Sequence, residues 1–281
     1  MENQKIDLYG YFKLNRNGAA GGYLTVCART ESKEMTKRIR PAVLVIAGGG
    51  YAYVSDRESE PVAIKYMNAG YIAFTLDYSI ETAYPAPLIE AVAAIAYIRE
   101  NADKYGIEKN RVAALGFSAG GHLTGLLATV KEGETPFDKP VKELRPDAAI
   151  LCYPVITLGE FTHEYTRNVI SGRNEKMYEK LSVEKRVDAD CPPAFIWHTY
   201  EDTAVPVENS FLFAGAYRKN NVPFAMHIFE KGGHGLSTSD IETVDFTQEQ
   251  MFLQDNAKWF DLTLDWLKAR DFKVKRLLYD F

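Results

Sequence analysis

No stretch of this 281-residue chain is apolar for long enough to cross a bilayer, and Met1 to Asp7 hold no apolar run of the kind a signal peptide carries. Cysteine is scarce. Cys27, Cys152 and Cys191 are odd in number and far apart, with no CxxC pair, which excludes a disulfide framework and a thiolate metal cluster. Cys27 and Cys152 fall inside apolar runs, where a thiol serves as a small core residue. Basic blocks are missing too: the formal net charge is −5, and the one basic run, Lys33 to Arg40, reads as a solvated hairpin loop with Glu31 and Glu34 among its lysines and arginines. Nucleic acid and anionic membrane are therefore not expected partners. Internal repeats and low-complexity segments are absent. These gaps lead to the expectation of a soluble cytoplasmic protein.

What is present is the balance of a globular domain, 46% hydrophobic and 25% charged. The length suits one continuous α/β core over residues 1–281. Short β-rich runs alternate with helical ones. Strands are expected at Tyr23 to Arg29, Pro41 to Ala47, Tyr71 to Asp77, Arg111 to Phe117, Ala148 to Tyr153, Ala194 to His198 and Phe224 to Phe229. Helices are expected from Glu58 to Ala69, from Pro87 to the stop at Gly106, from Ser118 to Thr129, from Val207 to Lys219 and from Phe252 to Ala269. In the fourth of these helices Val207, Phe211, Ala214 and Arg218 predict one face, and Trp259, Leu262 and Trp266 predict another on the last helix. Such alternation implies a mostly parallel sheet with helices on both faces, and functional groups gather at the carboxyl ends of its strands.

Gly116-Phe-Ser-Ala-Gly120 lies between an expected strand and an expected helix. Glycines permit the sharp turn that frees a serine hydroxyl, and the helix N-terminus adds partial positive charge where an oxyanion would form. Ser118 is thus the candidate nucleophile, against the plainer role of helix N-cap. A serine needs a base and the base needs a carboxylate. His122 reads as a packed or capping residue, His163 sits in a polar insertion, and His198 and His227 fall inside strands. His234, in Gly232-Gly-His-Gly235, is free to present its ring. Asp202 follows the strand ending at His198; a turn role competes with the catalytic one, and Glu201 is the alternative carboxylate. The order Ser118, Asp202, His234 is that of α/β-hydrolase triads. Ala119 and the Gly48-Gly49-Gly50 run are expected to supply oxyanion amides, with Gly49 and Gly50 preferred and the register among the three left open.

These motifs carry a resemblance. Ala47-Gly-Gly-Gly-Tyr51 resembles the HGGG-type segment of hormone-sensitive-lipase-like esterases, with Ala47 where that motif has histidine. Gly116 to His122, Tyr84-Pro-Ala-Pro87 and Lys231-Gly-Gly-His-Gly235 resemble the bacterial acetylesterase and acetyl-xylan-esterase branch, over roughly Tyr23 to Trp266. The resemblance implies an α/β-hydrolase fold and a serine carboxylesterase, free of metal and cofactor, that removes short acyl groups, often acetyl, from carbohydrate or small alcohols. Residues 157–192 form an insertion too long for an ordinary connection and are expected to cap the site. Its mixed polarity argues against a greasy, lipid-facing cover. Tyr51 and Tyr53 are expected at the substrate, either stacking on a sugar or walling the acyl pocket. A peptidase of the prolyl-oligopeptidase type shares the residue order but carries a large extra domain for which this chain has no room. A catalytically inactive binding protein is the rival from another class. Edge strands offer a route to a homodimer, though no residue pattern specifies one.

Overall fold

The computed structural model describes residues 2–28, 34, 37–244 and 254–276. Its strands are β1 (Glu2–Asp7), β2 (Tyr23–Ala28), β3 (Arg38–Ile46), β4 (Ile72–Asp77), β5 (Ile107–Phe117), β6 (Ala148–Cys152), β7 (Ala194–Thr199), β8 (Phe224–Phe229) and β9 (Lys275–Arg276). Between and around them lie α1 (Leu8–Phe12), α2 (Glu60–Asn68), α3 (Ala86–Glu100), α4 (Ala102–Tyr105), α5 (Ser118–Ala128), α6 (Val141–Leu144), α7 (Glu164–Ile170), α8 (Lys176–Leu181), α9 (Glu208–Lys219), α10 (Gln254–Ala257) and α11 (Trp259–Lys268). The sheet runs β1-β2-β4-β3-β5-β6-β7-β8, with β9 added against the start of β3. From β4 to β8 every pairing is parallel, while β1 and β2 join antiparallel at one edge.

The continuous apolar strand sequences follow from burial on both faces. Successive side chains point to opposite sides of a strand, so each side needs its own apolar set. On one side Ala42, Leu44 and Ile46 of β3, with Val112 and Ala114 of β5, pack under α3, α5 and α9. On the other, Val43 and Val45, with Ala113, Leu115 and Phe117, meet Val62 and Tyr66 of α2 and Trp259 and Trp266 of α11. Each expected strand is present within a few residues. Arg29 lies outside the described residues, as do Phe252, Glu31 and Lys33. The expected loop from Lys33 to Arg40 is corrected at its end, because Arg38–Ile46 is strand and Arg38 and Ile39 pair with β9.

Two helix faces also differ from expectation. On α9 the buried residues are Asn209, Ser210, Phe213, Ala214 and Tyr217, while Phe211 is 49% exposed. Polar residues hold the inner face because they have partners there: Ser210 bonds the His198 ring, and Asn209 accepts from the amides of Ile156 and Thr157. On α11 Thr263 and Leu267 join Trp259 and Trp266 inside, and Leu262 faces out. Among the described residues no helix is long and apolar enough to cross a membrane.

Candidate active site

The strand order reverses beside β3: β4 lies on one side of it and β5 on the other. Crevices in parallel sheets open at such a point. The loop after β3 and the turn after β5 therefore meet there, with Ile46 level with Gly116 in register. Ser118 begins α5 directly from the strand at φ +52°, a left-handed conformation that a serine adopts only under constraint. The glycines make room for it. A Cβ on Gly116 would lie 2.1 Å from the Gly120 carbonyl oxygen, and one on Gly120 would lie 2.2 Å from that of Ile46.

His234 Nε2 lies 2.7 Å from Ser118 Oγ, and its Nδ1 lies 2.7 Å from Asp202 Oδ2. Since the carboxylate can only accept, Nδ1 carries the proton and Nε2 accepts from the serine hydroxyl. Asp202 follows β7 and is held by four groups. Its Oδ1 accepts from the amides of Ala204 and Val205 at 3.0 and 2.9 Å, and its Oδ2 also lies 3.3 Å from His198 Nε2. Burial pushes the Asp202 carboxyl up, but hydrogen bonds from His198 and His234 outweigh it and hold the group well below the usual carboxylate range. Glu201, the alternative carboxylate, turns away to bond Lys231 and the Gly232 amide. The histidine loop is shaped by Gly232 and Gly235, both at positive φ.

The glycine loop lies against the serine turn. A Cβ on Gly48 would meet Ser118 Cβ and the Phe117 carbonyl oxygen at 2.9 Å each. The Gly48 amide donates to the buried Glu58 carboxylate at 2.8 Å, so it is not available to a ligand. The amides of Gly49 and Gly50 have no acceptor among the described residues, and that of Ala119, in the first turn of α5, has none within its helix.

The two expected substrate tyrosines separate. Tyr51, at φ +62°, is wholly buried and donates its hydroxyl to His122 Nδ1 at 3.0 Å, leaving no ring surface for a ligand. Tyr53 is 61% exposed beside Gly49. His122 in turn donates from Nε2 to the Leu181 carbonyl at 2.9 Å, the packed role expected of it. His198 is a hydrogen-bonded core residue, and His227 stacks on Phe195.

Three residues near the site gave no signal of it in the sequence. His163 caps α7, and its Cε1 would lie 3.7 Å from a Cβ on Gly50. Burial lowers its pKa, with the His234 ring adding and Asp202 opposing. Tyr153 sets its ring edge-on to His234 at 5.1 Å, and Glu58 lies beneath both loops. A histidine in a polar insertion, an aromatic after a strand and a glutamate in a charged turn all look ordinary until distant segments are folded together.

The BD-FAE family model matches residues 30–217. The match ends before His234, whose place rests on its hydrogen bonds. Endo-1,4-beta-xylanase B of Butyrivibrio fibrisolvens is 40% identical over 212 residues, covering 72% of this chain and 33% of its own. Acetylxylan esterase of Xylanibacter ruminicola is 28% identical over 227 residues, covering 78% and 45%. The chain thus spans less than half the length of either. An acetyl ester-xyloside bifunctional hydrolase from Caldicellulosiruptor lactoaceticus superposes with a TM-score of 0.80 at 35% identity, covering 97% of this chain and 98% of its own. A carboxylesterase from Lactobacillus plantarum WCFS1 superposes at 0.82 with 27% identity over 97% and 99% of the two chains. With a family match over most of its length and structural relatives that align end to end, the protein belongs to the BD-FAE family and carries the α/β-hydrolase fold.

Proposed function

We propose that this protein is a serine carboxylesterase that removes short acyl groups, acetyl foremost, from xylan-derived or similar carbohydrates. The observation that carries the reading is the unbroken line from Ser118 Oγ through His234 to Asp202, each contact 2.7 Å long. His234 Nε2 takes the hydroxyl proton as Ser118 Oγ attacks the ester carbonyl carbon. The amides of Gly49, Gly50 and Ala119 receive the negative charge that develops on the carbonyl oxygen. Collapse expels the alcohol with the proton held on His234, leaving the acyl group on Ser118. Water, activated by the same imidazole, then releases the acid and restores the serine. Asp202 holds the imidazole tautomer and stabilises the imidazolium. No step in this scheme calls for a metal or cofactor.

The carbohydrate part of the proposal rests on relatives whose names carry acetylxylan and acetyl ester-xyloside chemistry. The exposed ring of Tyr53 beside the glycine loop supports it, since an aromatic face suits a sugar ring. We read residues 157–192 as a polar cap over a single domain, with His163 and Tyr165 at its inner edge against Gly50. Three buried free thiols fit a reducing compartment, so the cytoplasm is the proposed location.

The test is acetate release from acetylated xylo-oligosaccharides, normalised to p-nitrophenyl acetate turnover, with Ser118→Ala as blank. Release well above the blank supports carbohydrate deacetylation and gives Tyr53 its role. Turnover of the aryl acetate alone retains the esterase and discards the sugar. Neither reaction above the blank sinks the esterase reading in favour of a binding protein.

A further inference from the structure

We infer that Arg57 and Glu58 clamp the oxyanion loop to the histidine loop, which makes Glu58 a positioning residue for the proposed ester hydrolysis; the inference rests on that reading of the site. Glu58 is 3% exposed, in the short 3-10 turn Asp56–Glu58. A buried carboxylate is costly unless both oxygens are satisfied, and here each oxygen is satisfied by a different part of the site. Oε2 accepts from the Gly48 amide at 2.8 Å, and Oε1 accepts from the Tyr153 hydroxyl at 2.7 Å. That hydroxyl accepts in turn from the Ser237 amide at 2.7 Å, three residues beyond His234.

The neighbouring residue grips the same loop. Arg57 donates to the carbonyls of Gly235 and Thr243 at 3.2 and 2.9 Å, and its own carbonyl accepts from the Ser237 hydroxyl at 2.6 Å. Ser237 is therefore held at its amide and its hydroxyl, and its carbonyl accepts from Trp259 Nε1 at 3.0 Å. Gly48 and Ser237 are distant in sequence, yet one carboxylate and one phenol fix their separation. The Gly48 amide is taken up by Glu58, whereas the next two amides, of Gly49 and Gly50, have no acceptor among the described residues, and the grip on Gly235 and Ser237 fixes the segment that carries His234. Two loops that must agree on one tetrahedral intermediate are thereby joined from below.

Glutamine at position 58 cannot reproduce this. With its oxygen toward Tyr153, its amino group faces the Gly48 N–H. With its oxygen toward Gly48, Tyr153 must accept from both the amino group and Ser237, leaving its own proton without an acceptor. One link breaks either way.

The test compares wild type, Glu58→Gln and Tyr153→Phe with p-nitrophenyl acetate, with rates expressed per active site titrated by a fluorophosphonate. Phenylboronic acid, whose tetrahedral serine adduct directs a hydroxyl at the oxyanion amides, serves as the probe of loop placement. Glu58→Gln is expected to lower kcat per site about 100-fold, with KM changed less than about threefold and boronate affinity weakened in proportion to kcat/KM. Tyr153→Phe keeps the Gly48 link and loses the other, and is expected to lower kcat about 10-fold. Wild-type kcat and boronate affinity in Glu58→Gln overturn the inference. So does a fall in thermal midpoint and in titratable sites with kcat per site unchanged, because packing alone would do that. Should Glu58→Gln fail to fold, a folded Tyr153→Phe at wild-type kcat overturns the clamp, and a reduced one upholds it. A wild type that the fluorophosphonate does not label removes the serine reaction itself and the clamp's role with it, an outcome distinct from variants that label and turn over normally.

Discussion

Asp202 meets backbone amides with one oxygen and imidazoles with the other, and that asymmetry makes its asparagine replacement informative. Ala204 and Val205 need an acceptor at Oδ1, so an asparagine oxygen goes there and its amino group takes the place of Oδ2. That group would donate to His234 Nδ1 and force the ring proton onto Nε2, which could then no longer accept from Ser118. Asp202→Asn should therefore lose about 10⁴ in kcat, measurable with p-nitrophenyl acetate. His122 makes a pH prediction with a definite sign. Burial pushes its imidazole down to about 4 from 6.5, the Arg186 charge adds to this, and the Leu181 carbonyl opposes it. Its neutral form is the native one, so the stability it confers is whole above pH 6.5 and is lost as pH falls from 6.5 toward 4, where the unfolded chain binds the extra proton. The loss should reach about 3 kcal/mol. Urea titrations across that window should give a steeper decline for wild type than for His122→Gln; equal slopes would refute the assignment.

At the scale of elements, the turn from β5 into α5 is built on absent side chains. A Cβ on Gly120 would stand 2.2 Å from the Ile46 carbonyl oxygen and 2.4 Å from that of Ala47, both backbone atoms of the neighbouring strand end. Gly120→Ala should cost about 3 kcal/mol in urea denaturation and displace Ser118 with it; a cost under about 1 kcal/mol would mean the turn is looser than described. This element was legible from its sequence because glycine spacing, a preceding apolar run and a following helical pattern all state the same local geometry. The order of Ser118, Asp202 and His234 was legible for the same reason, since each sits just past a strand. Local patterns did not reveal β1 and α1. Glu2–Asp7 is mostly polar, and its strand depends on pairing along an edge with β2. Nor did they give the inner face of α9, because Asn209 and Ser210 are buried there by their hydrogen-bond partners beside Phe213, Ala214 and Tyr217. Tyr51 and Tyr53 looked equivalent, and only the positive φ of Tyr51 turns its ring into the core.

Across the whole molecule, residues 157–192 are tied to the body at many points. Asn209 donates to the Phe161 carbonyl, the Tyr84 amide to that of Ile170 and His122 to that of Leu181. Arg186, nearly buried, donates to Glu134 at 2.5 Å and to Thr129 Oγ1 at 3.1 Å, and Asp188 takes Arg145 and Lys131. Exposed pairs such as Lys258 with Asp255 contribute little to stability by comparison. Arg186→Met would strip the partly buried Glu134 carboxylate of its main counter-charge and should cost about 2 kcal/mol in urea denaturation. A midpoint equal to wild type would show that the segment is held elsewhere.

On the proposed reading of residues 157–192 as a cap, fastening at so many points predicts a cover that stays in place during turnover. Selection is then expected to be by sieving and not by gating. Rates should follow simple saturation with no lag and no surge when a substrate passes its solubility limit. Widening the range of alcohols accepted would then come from trimming side chains at the rim, such as His163 and Tyr165, and not from loosening the segment that carries them.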